Sequence, residues 1–474
     1  MSAGLARALV FASSAAVLVL EILAGRLMAP YVGVSLETFT GIIGVVLAGI
    51  AAGTAVGGRL ADRVDPAPLL GPALLAGGVL SWWSLWVVFT LGPEVGRGPV
   101  AIVALTALAF FAPAAVLSTV SPLVAKLQLR TLDETGTVVG SLSAWGTAGA
   151  LFGVFVTGFV LVSAWPTKPI VLVVGALLVV AGMALTGWQA RRPPSIAVLL
   201  VAILSLGVGW SGSSPCQFES AYFCGRVIVD AADPSVRFLV LDDLVHAAVD
   251  VDKPEALQIP YVRLLAGAID ARPSGALNVA HIGGGGFTLP GHVARTRPGS
   301  TNTVFEIDDA LLDVAINELG FVPDERTEVV VGDARLGLLD LADDSHDVVV
   351  GDAFGGAAVP WHLTTSEFIA EIERVLRPDG LYAMNLIDGG PNDFAAWQVR
   401  TLLEHFAHVA VIGPVGGLGN EVANQVVLAS DASIERFALR GDGAWMANVA
   451  GFAAAGRVLT DDYAPVDQLI TTRH

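Results

Sequence analysis

The chain has 474 residues, 54% of them hydrophobic and 15% charged, with a formal net charge of −18. A soluble domain carries about a quarter charged residues. This composition, with a mean hydropathy of +0.67, therefore excludes a protein that is soluble throughout, and it excludes long disordered tails. The charge is unevenly spread. Residues 1–212 hold ten Lys/Arg and seven Asp/Glu, whereas residues 213–474 hold 16 and 37. An acidic half of this kind repels nucleic acid and suits small cationic ligands; a solubilising surface is the plainer reason for it.

The first half reads as a helical membrane domain. Seven apolar segments, roughly 8–29, 38–58, 68–91, 98–124, 137–164, 167–188 and 194–211, come near the ~20 residues that a helix needs to cross a bilayer. The first is no cleaved signal peptide, because similar segments keep following it. With seven spans, Arg7, Arg59, Arg63, Lys126, Arg130, Arg191 and Arg192 share one side, and Arg26, Arg97 and Lys168 the other. The positive-inside rule then puts the N-terminus in the cytoplasm, and an odd span count sends the acidic half out of it. One span more or fewer reverses that answer.

Several residues of this half stand out. Cys216 and Cys224 are the only cysteines and follow the last span. In an oxidising compartment they would close a short disulfide loop; in the cytosol they would be two free thiols. Gly49, Gly53 and Gly57 form a stripe that lets another helix come close, unless it is only the glycine enrichment common to membrane helices. Glu21 lies inside the first span, where a carboxylate needs a partner or a polar cavity. Arg26 is one candidate partner, and a polar path for a substrate is the alternative. The run Gly57-Gly58-Arg59-Leu60-Ala61-Asp62-Arg63 resembles the short loop after the second helix of major-facilitator transporters.

From about residue 225 the periodicity changes. Val227–Val229 and Val236–Leu241 read as strands of a small β region. Strand Leu277–Ile282 then runs into Gly283, Gly284, Gly285 and Gly286. Strand Thr303–Ile307 follows, carrying Glu306 and reaching Asp308, and then a helix over 309–319. Strand Thr327–Val331 leads to Gly332-Asp333-Ala334-Arg335, and strand Asp347–Gly351 ends at Asp352. A helix over 364–376, a Pro378-Asp379-Gly380 turn and strand Leu381–Ile387 complete the pattern. Strands alternating with helices predict a parallel sheet covered on both faces. The predicted organisation is a transmembrane domain over 1–212, a small β region over 213–270 and a Rossmann-like domain over 271–474.

Ligands of open α/β sheets bind beyond the carboxyl ends of the strands. Four glycines there let the backbone approach a ligand without intervening Cβ atoms. Glu306, 20 residues beyond Gly286, has the spacing of an acid that accepts from both ribose hydroxyls. Asp333 is placed for an adenine edge, and Asp352 for the reactive end of the ligand. The six-residue dinucleotide glycine spacing and the Walker lysine are both lacking, which argues against NAD and against ATP hydrolysis. His405 and His408 are three apart, but no acid or cysteine cluster completes a metal site, so no metal is expected.

Taken together, these residues resemble the spermidine synthase family, the polyamine aminopropyltransferases, and more closely its bacterial membrane-fused branch. The carriers are Glu219-Ser220-Ala221-Tyr222, Leu241-Asp242-Asp243, Ile282–Gly286 and Glu306-Ile307-Asp308. They continue with Gly332–Arg335, Asp352-Ala353-Phe354 and Thr460-Asp461-Asp462-Tyr463-Ala464-Pro465. The resemblance implies transfer of an aminopropyl group from decarboxylated S-adenosylmethionine, as co-substrate, to an amine such as putrescine. It makes Asp352 the catalytic acid, Glu306 the ribose acid, and Asp333 with Ala334 the adenine contacts. Gly283–Gly286 and Asp308 complete the nucleoside site, and Tyr222, His246 and Tyr261 form the acceptor pocket. A homodimer is implied by the resemblance alone.

The chain departs from the family where amines are held. Phe223 and His246 replace glutamines, Phe287 follows the glycines where an Asp is usual, and no second acid follows Asp352. Two other readings therefore stand beside the first. One is an S-adenosylmethionine-dependent methyltransferase; the other is a non-enzymatic polyamine transporter or sensor. The expected partners are a small cationic amine and the lipid bilayer, at the cell membrane, with no nucleic acid.

Overall fold

The computed structural model describes residues 1–470 apart from 97, 130, 191–194, 357, 415–421, 435 and 440–442. Arg97, Arg130, Arg191 and Arg192, counted above among the loop charges, lie outside the described residues. The chain forms two compact units, Met1–Arg226 and Val227–His474.

The first unit is helical. Its helices are α1 (Ala3–Val32), α2 (Leu36–Arg63), α3 (Ala67–Leu91), α4 (Pro99–Gln128), α5 (Thr135–Ala164), α6 (Thr167–Ala190) and α7 (Ile196–Ser211). Ser2 and Ser35 start α1 and α2 by accepting the free N–H groups of Leu5 and Thr38. Among the described residues six helices, α1 to α6, are long and apolar enough to cross a membrane. Helix α7 has 16 residues, roughly 24 Å at 1.5 Å per residue, against a hydrocarbon core of about 30 Å. It still returns to the level where α6 begins: Lys168 Nζ donates to the carbonyls of Trp210 (2.8 Å) and Gly212 (2.6 Å).

Close helix contacts follow the small residues. A Cβ on Gly53 would lie 1.9 Å from the Ala115 carbonyl oxygen of α4, and one on Gly57 2.8 Å from Pro122. The stripe on α2 is thus the seam against α4. Helices α1 and α5 pack in the same manner, with Gly149 against the Phe11 backbone and Gly153 against Ala15.

Polar contacts mark the two ends of this unit. At one end Gln128 Nε2 donates to the Met1 carbonyl (3.3 Å), and Lys126 pairs with Asp62 (2.7 Å). At the other, strand β1 (Phe218–Glu219) pairs antiparallel with the first residues of β2 (Cys224–Val229), and a disulfide joins Cys216 to Cys224. Glu219 accepts from the Thr167 N–H (2.8 Å) and Oγ1 (2.6 Å) at the start of α6. Arg26 donates to the carbonyls of Ala221 (3.0 Å) and Ser220 (2.5 Å). Its guanidinium is therefore spent on this turn rather than on Glu21.

The second unit opens with a hairpin, β3 (Val236–Leu241) and β4 (Leu244–Asp250), followed by helix α8 (Pro260–Asp270). Next come β5 (Asn278–Ile282), α9 (Thr288–Thr296), β6 (Thr301–Glu306), α10 (Asp309–Glu318), β7 (Thr327–Val331), α11 (Ala334–Leu338) and β8 (His346–Gly351). Helix α12 (Ser366–Val375), strand β9 (Leu376–Asp388), α13 (Asp393–Leu402), β10 (His408–Gly413) and β11 (Ala423–Ser430) follow. Strand β12 (Ala444–Trp445) and two short helices, α14 (Val449–Ala453) and α15 (Val466–Leu469), close the unit. The strands make one sheet in the order β12-β10-β11-β9-β8-β5-β6-β7.

The five strands from β9 to β7 are parallel, as the alternation of strands and helices predicts. Strands β11, β10 and β12 are antiparallel, so the sheet is mixed rather than purely parallel. The reason is local: only nine residues separate β10 from β11, fewer than the dozen or so that a parallel crossover needs. This is a Rossmann-like fold of the methyltransferase type. The Pro378-Asp379-Gly380 turn also differs from expectation. Partners shift from His346–Leu376 to Val348–Leu381, so these residues form a bulge inside β9.

Apolar residues fill both faces of the sheet. Phe305, Phe368 and Leu386 lie in one layer, and Leu265, Val279 and Val350 in the other. From β5 the chain steps outward one way through β6 and β7, then returns to β8 on the other side. That reversal opens a crevice at the carboxyl ends of β5 and β8.

Candidate active site

The crevice is built by the residues that leave these strands. After β5 the chain turns through Gly283 (φ +93°) and Gly285 (φ +50°). A Cβ on Gly283 would stand 2.4 Å from the Asp352 carbonyl oxygen, so only glycine lets the two strand exits lie side by side. Phe287 follows in the left-handed region (φ 53°), strained for an aromatic residue. Burial and stacking on Phe321, at 4.8 Å between ring centroids, hold it there.

Glu306 ends β6 and is 5% exposed. Its carboxylate accepts from the N–H groups of Gly284 (2.8 Å), Gly285 (3.2 Å) and Asp308 (3.0 Å). Burial raises its pKa, and the three N–H groups oppose that rise. The acid thus fixes the shape of the glycine loop. Asp308 caps α10 by accepting the Ala310 N–H (3.2 Å). Asp333 caps α11, accepts the Arg335 N–H (2.8 Å) and pairs with His362 Nε2 at 3.0 Å; Ala334 beside it is buried.

Asp352 follows β8 and lines a cleft together with His246, Tyr261 and Gly283–Gly286. Tyr261 donates its hydroxyl to Oδ2 (3.3 Å), and Asn385 of β9 donates Nδ2 to Oδ1 (2.9 Å). Burial pushes the Asp352 pKa up to about 6, while the two donors pull it back. Burial also pushes His246 down to about 4, so its imidazole is neutral near pH 7. His281, beneath the glycine loop and 2.9 Å from Asn302 Oδ1, is pushed down to about 4 for the same reason.

The structure therefore brings together Asp352, Tyr261, His246 and Gly283–Gly286 in the cleft, and Glu306 and Asp308 behind the loop. Tyr222 lies in the first unit, on the turn between β1 and β2; it is 47% exposed, with its ring 6.4 Å from that of Phe223. Sequence reasoning missed Asn385, whose Oδ1 in turn accepts from Asn424 Nδ2 (3.0 Å). A lone Asn in the apolar run Leu381–Ile387 was its signal. It also missed that Arg335 grips Asp461 with two hydrogen bonds (2.8 and 2.6 Å). These bonds pin the Thr460–Pro465 segment to the turn that carries Asp333.

No family model matches the chain. A polyamine aminopropyltransferase of Vibrio vulnificus (strain CMCP6) is 27% identical to it over 230 residues, which span 45% of this chain and 76% of that protein. This chain is thus similar to the polyamine aminopropyltransferases. An eEF1A lysine and N-terminal methyltransferase of Xenopus laevis is 31% identical over 124 residues, 24% of this chain and 18% of that protein. Among solved structures, a probable spermidine synthase from Corynebacterium glutamicum ATCC 13032 aligns with a TM-score of 0.48 at 27% identity. It covers 52% of this chain and 95% of its own. Both spermidine synthases and methyltransferases thus stand among the proteins this chain resembles.

Proposed function

We propose that the second unit is an aminopropyltransferase using decarboxylated S-adenosylmethionine, and that the helical unit anchors it to a membrane. The acceptor is an amine such as putrescine. Its uncharged nitrogen attacks the carbon next to the sulfonium, the carbon–sulfur bond breaks, and methylthioadenosine leaves. The nitrogen loses a proton to Asp352. A base tuned toward neutrality is suited to that step, and Asp352 is such a base. Tyr261 and Asn385 fix its two oxygens, leaving the remaining lone pairs for the amine. The glycine loop, shaped by Glu306, would receive the nucleoside, with Asp333 and Ala334 at its adenine edge.

The observation that carries this reading is the Asp352 carboxylate lining the same cleft as the glycine loop. Incubating the purified full chain with the decarboxylated donor and putrescine should release methylthioadenosine, and Asp352→Asn should abolish the release. If no diamine yields methylthioadenosine, the reading falls.

A methyltransferase is the second reading, supported by Phe223, His246 and Phe287 standing where the resembled family holds amines, and by the 31% identity to a methyltransferase over 124 residues. Calorimetric titration separates the two: a methyltransferase should bind the carboxylated nucleoside more tightly.

A further inference from the structure

We infer that Glu21 is the anionic end of an alkylammonium-binding site within the helical unit, separate from the transfer chemistry of the second unit. From Leu9 onward α1 is almost wholly enclosed by its neighbours, except along one stripe. Ser14, Leu18, Glu21, Ile22 and Gly25 recur there every three or four residues and stay partly open. The same stripe touches two helices. Below Glu21, the backbone of Phe11 and Ala15 meets Gly149 and Gly153 of α5. Above it, a Cβ on Gly25 would lie 3.4 Å from the Phe39 ring of α2. Glu21 thus stands in a groove between α2 and α5.

A carboxylate inside a helix long enough to cross a bilayer is costly and marks a site unless it is paired. Among the described residues Glu21 makes no hydrogen bond or ion pair, and the nearest cation in sequence, Arg26, is held by two carbonyls. A second polar group is left over at the same level. The contacts of residues 149 with 11 and 153 with 15 advance in equal steps of four, which sets Thr157 level with Val19. Thr157 is fully buried and its hydroxyl has no partner. It opens a π-helical turn, Thr157–Leu161, a distortion frequent at functional sites.

The surroundings select the class of cation. Among the described residues no three His, Cys, Asp or Glu side chains gather to hold a metal ion, and an inorganic cation needs about six oxygen ligands. Near Glu21 the groove instead offers one carboxylate and, one turn on, the Phe39 ring beside Gly25. An ammonium head against Glu21 with a short alkyl body along that ring satisfies both features.

The test uses the purified full chain in detergent, in an Asp352→Asn background that removes the carboxylate of the cleft. Dicyclohexylcarbodiimide modifies carboxyl groups in apolar surroundings, and peptide mass spectrometry locates the label. Glu21 should be labelled. Butylammonium chloride at ten times its dissociation constant should slow that labelling about tenfold, whereas sodium chloride at equal ionic strength should not. Thr157→Val should keep the labelling and weaken the protection severalfold. Failure of Glu21 to react, an unchanged rate with butylammonium, or equal protection by sodium chloride would each overturn the assignment. None of these readouts depends on group transfer, so loss of the aminopropyltransferase reading would leave the result interpretable.

Discussion

Asp352 sets the expected pH behaviour of the site. As the proposed proton acceptor it must be ionised, and its pKa is pushed up to about 6. Transfer should therefore rise with pH through that value and level off above it. Asn385 donates to the ionised form and holds the pKa down. Asn385→Leu should move the acidic limb of the rate profile to higher pH and lower the plateau, which initial-rate profiles would reveal. An unmoved limb would mean that another group limits the rate.

The same carboxyl bears on stability. Its pKa in the folded chain lies above that of an unfolded Asp, so its contribution is fully present below about pH 4 and is lost as pH rises through 6. Above pH 7 the ionised, buried form costs up to about 3 kcal/mol. Asp352→Asn should then raise the melting temperature by several degrees at pH 7.5 and by little at pH 4.5. The gain will fall short of the full amount, because an amide cannot accept from both Tyr261 and Asn385. A thermal scan at the two pH values checks this, and equal shifts at both would refute it.

At the scale of elements, some of this molecule is legible in the order of residues and some is not. Apolar runs ending in Gly283, Glu306, Asp333 and Asp352 announce strands, because a buried parallel strand is apolar throughout and its polar exit stands out. Strands β10 and β11 carry the same apolar signal, and that signal by itself does not separate antiparallel addition from one more crossover. The bulge at Pro378–Gly380 is likewise indistinguishable from a turn, since the same residues suit both. Asn385 belongs to no motif, and Arg335 meets Asp461 across 126 residues, a distance that local pattern does not encode.

Helix packing in the first unit follows small residues at a spacing of four, a pattern that ordinary glycine enrichment of membrane helices also gives and that the seam against α4 distinguishes. Gly53→Leu would drive a side chain into the backbone of α4, where even a Cβ would lie 1.9 Å from the Ala115 oxygen. The helices would have to part, at a cost of several kcal/mol. Gly58→Leu, one step around α2 with nothing within 4 Å, should be nearly neutral. Comparing the two by yield of folded protein and by melting temperature checks the seam; equal behaviour would show that α2 and α4 are not joined there.

For the whole molecule, the helical unit has two chemically distinct ends. Met1, Asp62, Lys126 and Gln128 meet at one, and this end carries the basic loops that the positive-inside rule assigns to the cytoplasm. The disulfide, Glu219 and the Arg26 guanidinium meet at the other. A disulfide persists where the surroundings are oxidising, so charge and cysteine chemistry favour the same orientation, with the hairpin outside. Cells expressing the chain should then incorporate an impermeant maleimide at Cys216 and Cys224 only after treatment with an impermeant reductant. Labelling of intact cells without reduction would remove the disulfide from the argument, whereas labelling only after the membrane is opened would put the hairpin in the cytosol. The transferase would in that case draw its nucleoside from the compartment that makes it, and the outward orientation would have to be abandoned.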